Sequence, residues 1–250
     1  LGNSFLSRRQ NKRHDEYGCD TLENRARFAV EIMKRVRELC GDDFVIGCRM
    51  SAREWGDPLG TTLEEAVEFA KMFEKAGLDY IQASGYGYNE FWCCWAPTQL
   101  YWPEPVPSTK EFRDRIPTGA MLPEAEAIRK AVKIPVSSSN GYTYESAARA
   151  INEDRVDLIW MGRNLMVDPA YPKKLQQGRI EDIRPCARCM HCVGKLWLNV
   201  PIECRWNAFM GHEHEIGDGQ DFTPAKRKKK VMVVGAGPGG MEAARVAALR

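Results

Sequence analysis

The chain has 250 residues, 44% of them hydrophobic and 28% charged, which is the composition of an ordinary globular protein with room for one large domain or one and a half smaller ones. A net charge of +2 argues against a nucleic-acid or acidic-membrane partner, and no apolar run reaches the ~18 residues that a membrane span needs. Nine cysteines, an odd number without a secretory leader, argue against a disulfide framework and for a cytoplasmic protein.

Residues 21–40 carry a broad apolar helical face (Phe28, Val30, Ile32, Met33, Val36, Leu39) that Asp20 or Thr21 can cap. Phe44 to Cys48 is an apolar run of strand length, ended by Arg49. A second helix is expected over 62–76, capped by Thr61 or Thr62 and closed by Gly77. A strand follows over 79–83. Residues 85–121 then form a long aromatic loop (Tyr86, Tyr88, Phe91, Trp92, Trp95, Tyr101, Trp102), read either as a self-packed loop or as a wall for a flat or acyl substrate.

Helix 123–132, strand 134–138, helix 143–152, strand 157–161 and helix 170–177 come next. This β-α rhythm predicts a parallel sheet, either half of an eight-fold barrel or half of an open doubly wound sheet. Small residues at the end of strand 134–138 and just after it (Ser137, Ser138, Ser139, Gly141), with the backbone at Gly162 and Arg163, can cradle a phosphate.

Residues 181–225 lose periodicity and gain Cys, Arg, Trp and His, so something besides an apolar core must order them. Cys186, Cys189, Cys192 and Cys204 are spaced C-x2-C-x2-C-x11-C. Three thiolates within seven residues can wrap one face of a 4Fe–4S cluster and the fourth can close it. A four-thiolate zinc site is the rival, although zinc more often uses two separated C-x2-C pairs. His191 sits inside the run without being needed as a ligand. Cys40, Cys48, Cys93 and Cys94 read as packing thiols, and Cys19 falls in a turn. The basic run Lys226 to Lys230 reads as a solvated lead-in to a strand.

That strand, Val231 to Val234, precedes Gly235, Gly237 and Gly240 in a G-x-G-x-x-G turn and an alanine-rich helix, the context a dinucleotide fingerprint requires. A single βα unit cannot bury its own apolar faces, and the sequence does not open with Met. The chain therefore reads as an internal fragment: residues 1–180 the carboxyl-terminal half of a barrel, 181–226 a cluster segment and linker, and 227–250 the first βα unit of a nucleotide-binding domain.

In order along the chain, Asn3-Ser-Phe-Leu-Ser7, Asn11 to Gly18, Leu22 to Phe28, Arg49-Met-Ser51, Ala76 to Ile81, Met161-Gly-Arg163, Asp168-Pro169, Ile183 to Cys186, the cysteine run and the glycine fingerprint resemble the iron–sulfur branch of the old yellow enzyme family. The branch includes 2,4-dienoyl-CoA reductase-like and trimethylamine dehydrogenase-like enzymes. The resemblance implies an FMN-binding barrel, a 4Fe–4S cluster on the four cysteines and FAD, or an ADP-like nucleotide, on the glycine fingerprint. Electrons would pass from NAD(P)H to an activated C=C bond. Amine oxidation on the same architecture is the alternative, and a zinc-stabilised binding module without catalysis is the alternative from another class.

By the same resemblance Arg49 meets the flavin ring, and Gly141, Gly162 and Arg163 lie at the FMN phosphate. Gly141 stands where many members carry an arginine, and Asn89 stands where related reductases carry a histidine; asparagine cannot serve as an acid near neutral pH. No catalytic side chain is assigned, since the family's proton-donating tyrosine is expected ahead of residue 1. The expected partner is a small-molecule substrate, with a homo-oligomer of the intact protein left open. The isolated fragment is expected to be inactive.

Overall fold

A computed structural model describes residues 2–55, 57–87, 119–217, 219 and 222–250. The chain divides into two compact units, Leu1–Met161 and Gly162–Arg250. Most of the aromatic loop, with Asn89, Cys93 and Cys94, lies outside the described residues.

In the first unit a short helix α1 (Gly2–Leu6) precedes α2 (Leu22–Cys40), β1 (Gly47–Trp55), α3 (Leu63–Lys75), β2 (Tyr80–Gly87), α4 (Leu122–Arg129), β3 (Val136–Ser138), α5 (Tyr144–Asn152) and β4 (Leu158–Ile159). The capping signals explain the helix starts. Thr21 Oγ1 accepts from the Asn24 amide at 3.1 Å. Thr62 and Glu65 close a reciprocal capping box at the start of α3, and Thr143 with Ser146 does the same for α5. Gly77, with φ of +93°, takes the left-handed turn that follows α3.

All described strand pairs are parallel, in the order β1-β2-β3-β4. An open doubly wound sheet reverses its strand order at a switch point, whereas a barrel adds strands in sequence. The sequential order is that of a barrel arc. Phe69, Phe73, Ile81, Ile128 and Val136 are enclosed between helices and sheet, and Ala52, Ala66, Ala70 and Ala83 let the layers approach closely. Each large side chain buried this way contributes about 1.5–3 kcal/mol.

The first strand differs from the sequence expectation. Phe44 and Val45 are 53% and 68% exposed, and the strand starts at Gly47 and runs to Trp55. Its pattern was hidden because Glu54, a carboxylate, shares the buried face with Met50 and Ala52. A Cβ on Gly47 would lie 1.9 Å from the Tyr80 ring, so a larger residue there would have to displace that ring.

The second unit contains α6 (Arg163–Val167), α7 (Tyr171–Gln176), a 3-10 turn (Ile180–Asp182), α8 (His191–Trp197), α9 (Glu213–Ile216) and α10 (Pro238–Leu249). The expected strand over Val231 to Val234 is not paired among the described residues, and Met232 and Val234 are 87% and 86% exposed. A strand gains its hydrogen bonds only from a neighbour, so a high β propensity by itself forms no sheet.

Candidate functional site

The loop that carries the first three cysteines is anchored by a buried ion pair. Lys174 Nζ lies 2.6 Å from Asp168 Oδ2 and also donates to the Asp182 carbonyl at 2.8 Å. The same carboxylate oxygen accepts from the Arg184 amide at 3.0 Å, so one fully enclosed aspartate fixes the approach to Cys186. Asn207, also buried, donates to the Met166 carbonyl at 2.9 Å and accepts from the Phe209 amide at 3.2 Å, which pins the chain just after Cys204. Sequence reading missed Lys174 and Asn207; neither has a local pattern that reveals a partner several residues or a whole segment away.

Between these anchors Cys186, Cys189, Cys192 and Cys204 line one cleft of about 330 Å³, counting its part open to solvent, together with Arg163, Arg188 and Arg205. The backbone turns sharply around it. Arg188 and Met190 adopt φ of +53° and +60°, left-handed values that cost a non-glycine residue roughly 1–2 kcal/mol. The Arg188 turn aims its amide at Cys186 Sγ at 3.4 Å, and the Trp206 amide reaches Cys204 Sγ at 3.4 Å. Cys192 enters the first turn of α8. Amide donors on sulfur stabilise thiolate and tune whatever the thiolates bind.

Four thiols around one cleft are a donor set that either a tetrahedral zinc ion or an iron–sulfur cluster accepts. His191, which the sequence left out of the ligand set, turns its Nε2 toward Glu203 at 3.6 Å, and Lys195 meets that carboxylate at 3.0 Å.

Charge in the cleft is mixed. Burial pushes the Cys192 thiol up, against the pull of Arg163. Desolvation, then repulsion from Arg163, lowers the Arg188 guanidinium from its ordinary value. Arg163 Nη1 donates to Met190 Sδ at 3.2 Å, so the side chain expected near a flavin phosphate is found on the cysteine loop. Its neighbour Gly162 caps α6.

Elsewhere in the second unit, Gly235 has φ of +98° and Gly237 precedes α10 as its cap. A Cβ on Gly240 would lie 2.0 Å from the Gly235 carbonyl oxygen, so only glycine allows the helix to fold back on the turn. This leaves the amides at the start of α10 free of side-chain cover, the arrangement that receives a pyrophosphate in a dinucleotide fold.

In the first unit Arg49 lies within β1, not at the end of a strand over 44–48, and donates from Nη2 to Ser84 Oγ at 2.9 Å. It shares a row of the sheet with Gln82 and Ser137 through the parallel register. Gly141 and Asn140 are consecutive left-handed residues, φ +82° and +75°, in the turn after β3. Two packing assignments fall on described cysteines. Cys48 is held in a site that pushes its thiol up to about 12 through burial. Cys40 is exposed, so it does not pack.

Residues 1–182 match the NADH:flavin oxidoreductase / NADH oxidase family. The chain belongs to this family. Across 98% of its length this family member is 39% identical to an NADH oxidase of Thermoanaerobacter brockii, of which it covers 35%. It superposes along its whole length on 2-naphthoyl-CoA reductase with a TM-score of 0.82 and 36% identity, and on histamine dehydrogenase from Rhizobium sp. 4-9 with a TM-score of 0.79 and 30% identity. It covers 35% and 34% of those two chains, so it spans about a third of the relatives it matches. No helix among the described residues is long and apolar enough to cross a membrane.

Proposed function

We propose that this chain is the flavin-barrel and relay portion of an oxidoreductase that uses NAD(P)H to reduce an activated C=C bond of an enone or enoyl substrate. The four-cysteine cleft carries the reading: four thiols in a C-x2-C-x2-C-x11-C spacing share it, two of them accept backbone amides, and three arginines line it. When bound, FMN would supply hydride exchange with the substrate, and a 4Fe–4S cluster would supply single-electron transfer to and from FMN, with FAD as the further carrier where the glycine fingerprint binds it.

The residues present divide the work. Cys186, Cys189, Cys192 and Cys204 would hold the cluster. Arg163, Arg188 and Arg205 offset the negative charge of four thiolates. Asp168, Lys174 and Asn207 fix the two ligand segments. Arg49, held by Ser84, places a fixed positive charge on the sheet face where the resemblance puts the flavin ring, and such a charge favours a reduced, anionic ring. Gly141, in its left-handed turn after β3, offers backbone where the resemblance puts the FMN phosphate, Arg163 serves the cysteine loop instead, and Gly235, Gly237 and Gly240 leave a helix start open to a nucleotide.

Iron, acid-labile sulfide and zinc measured on anaerobically purified protein test the relay. Stoichiometric iron and sulfide, with a paramagnetic signal after dithionite reduction, are expected. A colourless protein with stoichiometric zinc and no iron would sink the redox reading and leave a zinc-stabilised binding module.

The similarity to histamine dehydrogenase supports a second reading, amine oxidation. The full-length protein separates the two. NADH oxidation that depends on an enone supports the first, and flavin reduction that depends on an amine supports the second.

A further inference from the structure

We propose that His14, Cys19 and Asp20 form a zinc site on the loop ahead of α2, independent of the four-cysteine cleft and of the redox reading. One ligand atom from each residue lies within 4.8 Å of the other two, and His14 Nδ1 is 2.9 Å from Asp20 Oδ1. Ligand atoms around a tetrahedral zinc are separated by about 3.3–3.8 Å, so this trio needs only small movements to close on an ion.

The donors are one imidazole nitrogen, one thiol sulfur and one carboxylate oxygen. Magnesium and calcium select oxygen ligands, whereas a mixed set with sulfur suits zinc. Three protein ligands leave a fourth position for water or a small exchangeable ligand.

The loop is already folded into the shape the site requires. Cys19 donates its amide to the Arg13 carbonyl at 2.8 Å, which draws Cys19 beside His14, and Gly18 donates to the Asp15 carbonyl at 2.8 Å. A Cβ on Gly18 would meet the Arg13 carbonyl oxygen at 2.6 Å, so glycine is what permits this closure. Buried Asn11 holds the loop from beneath, donating to the Phe5 and Tyr17 carbonyls at 3.0 and 2.8 Å. Asp15 accepts from the Tyr17 amide and from Arg13 Nε, each at 3.1 Å. Gathering the ligands therefore orders little additional chain. The His14 and Asp20 side chains are 75% and 51% exposed, so an ion has a direct approach.

A simple His14–Asp20 ion pair is the competing account, and it gives Cys19 no part. The experiment uses the iron-loaded 250-residue chain, zinc alone as the probe, and iodoacetamide alkylation of each cysteine read by peptide mass spectrometry. Cys19 should react about tenfold more slowly when free zinc is ten times its dissociation constant, while exposed Cys40 is unaffected. His14→Ala and Asp20→Asn should each remove most of that protection and keep the wild-type circular dichroism. Unchanged Cys19 reactivity in the wild type, or protection that survives both substitutions, overturns the site. Iron and sulfide content of the same samples reports on the cysteine cleft separately, so either proposal can fail without the other.

Discussion

In the first unit Phe69, Phe73, Ile81 and Val136 are enclosed by one another and by a layer of alanines. Among the described residues of the second unit only Val167, Tyr171, Val193 and Phe209 are buried apolar side chains. The second unit is held instead by polar pins, the Asp168–Lys174 pair and Asn207, around a thiol-lined cleft. The first unit shows a fold held mainly by burial of apolar side chains. The second shows what a segment with too little apolar surface needs in its place: directional bonds and, on the proposal above, a bound cluster.

The widest break in this comparison is removal of iron. Stripping it anaerobically with a chelator should abolish amide exchange protection over residues 184–212, because the ligand segments lose the group that joins them. Protection in α3 and β2 should persist. Equal protection of 184–212 with and without iron would show that the polar pins suffice by themselves.

Two substitutions then set one unit's device against the other's. Phe69→Ala should cost about 4 kcal/mol, seen as lost protection in α3 and β2, since it opens a cavity in a layer that cannot collapse onto it. Lys174→Ala should cost about 3 kcal/mol, seen over residues 163–186, because it leaves the Asp168 carboxylate enclosed without its countercharge. Asp168 Oδ1 already lacks a hydrogen-bond partner, so no spare donor can replace the lysine. A double change to Asp168→Asn and Lys174→Met should recover part of that loss. If Lys174→Ala is as mild as a surface change, the polar pin is not what orders the segment.

The legible part of the sequence follows the same division. Helix periodicity and Thr caps placed α2 and α3, and the β-α alternation placed α5, to within a residue or two, because local side-chain spacing and local hydrogen bonds decide those elements. β1 was misplaced because its burial depends on which face meets α3, so exposed Phe44 looked more strand-like than buried Glu54. The four cysteines were legible as a group from spacing. The turns at Arg188 and Met190 were not, because only φ shows that two bulky residues occupy glycine-like conformations. Lys174 and Asn207 act through contacts that no spacing encodes. The His14, Cys19 and Asp20 trio escaped for the same reason: Cys19 looked like a residue in a turn until the turn itself brought His14 to it.

The smallest effect concerns a polar device of the first unit that resembles those of the second. Buried Arg25 meets Glu65 through Nη1 and Nη2 at 2.8 and 3.2 Å, donates from Nε to the Leu6 carbonyl at 2.5 Å, and covers the Phe69 ring at 5.0 Å. Burial pushes the Glu65 carboxyl up, but the Arg25 hydrogen bonds, the Thr62 amide and the charges of Arg25 and Arg8 outweigh it and hold the group below its ordinary 4.5. A carboxylate held lower in the folded state than in the unfolded chain adds stability above 4.5, and that contribution is lost as pH falls through the folded value. Thermal melts of the first unit should therefore weaken on acidification below about 4.5. Glu65→Gln should flatten that part of the profile while lowering stability at neutral pH, because Arg25 keeps its burial and loses its charge partner. An acid limb of unchanged slope in Glu65→Gln would mean that the Arg25–Glu65 contact adds nothing to the first unit, and the contrast with the second unit would be sharper than that contact implies.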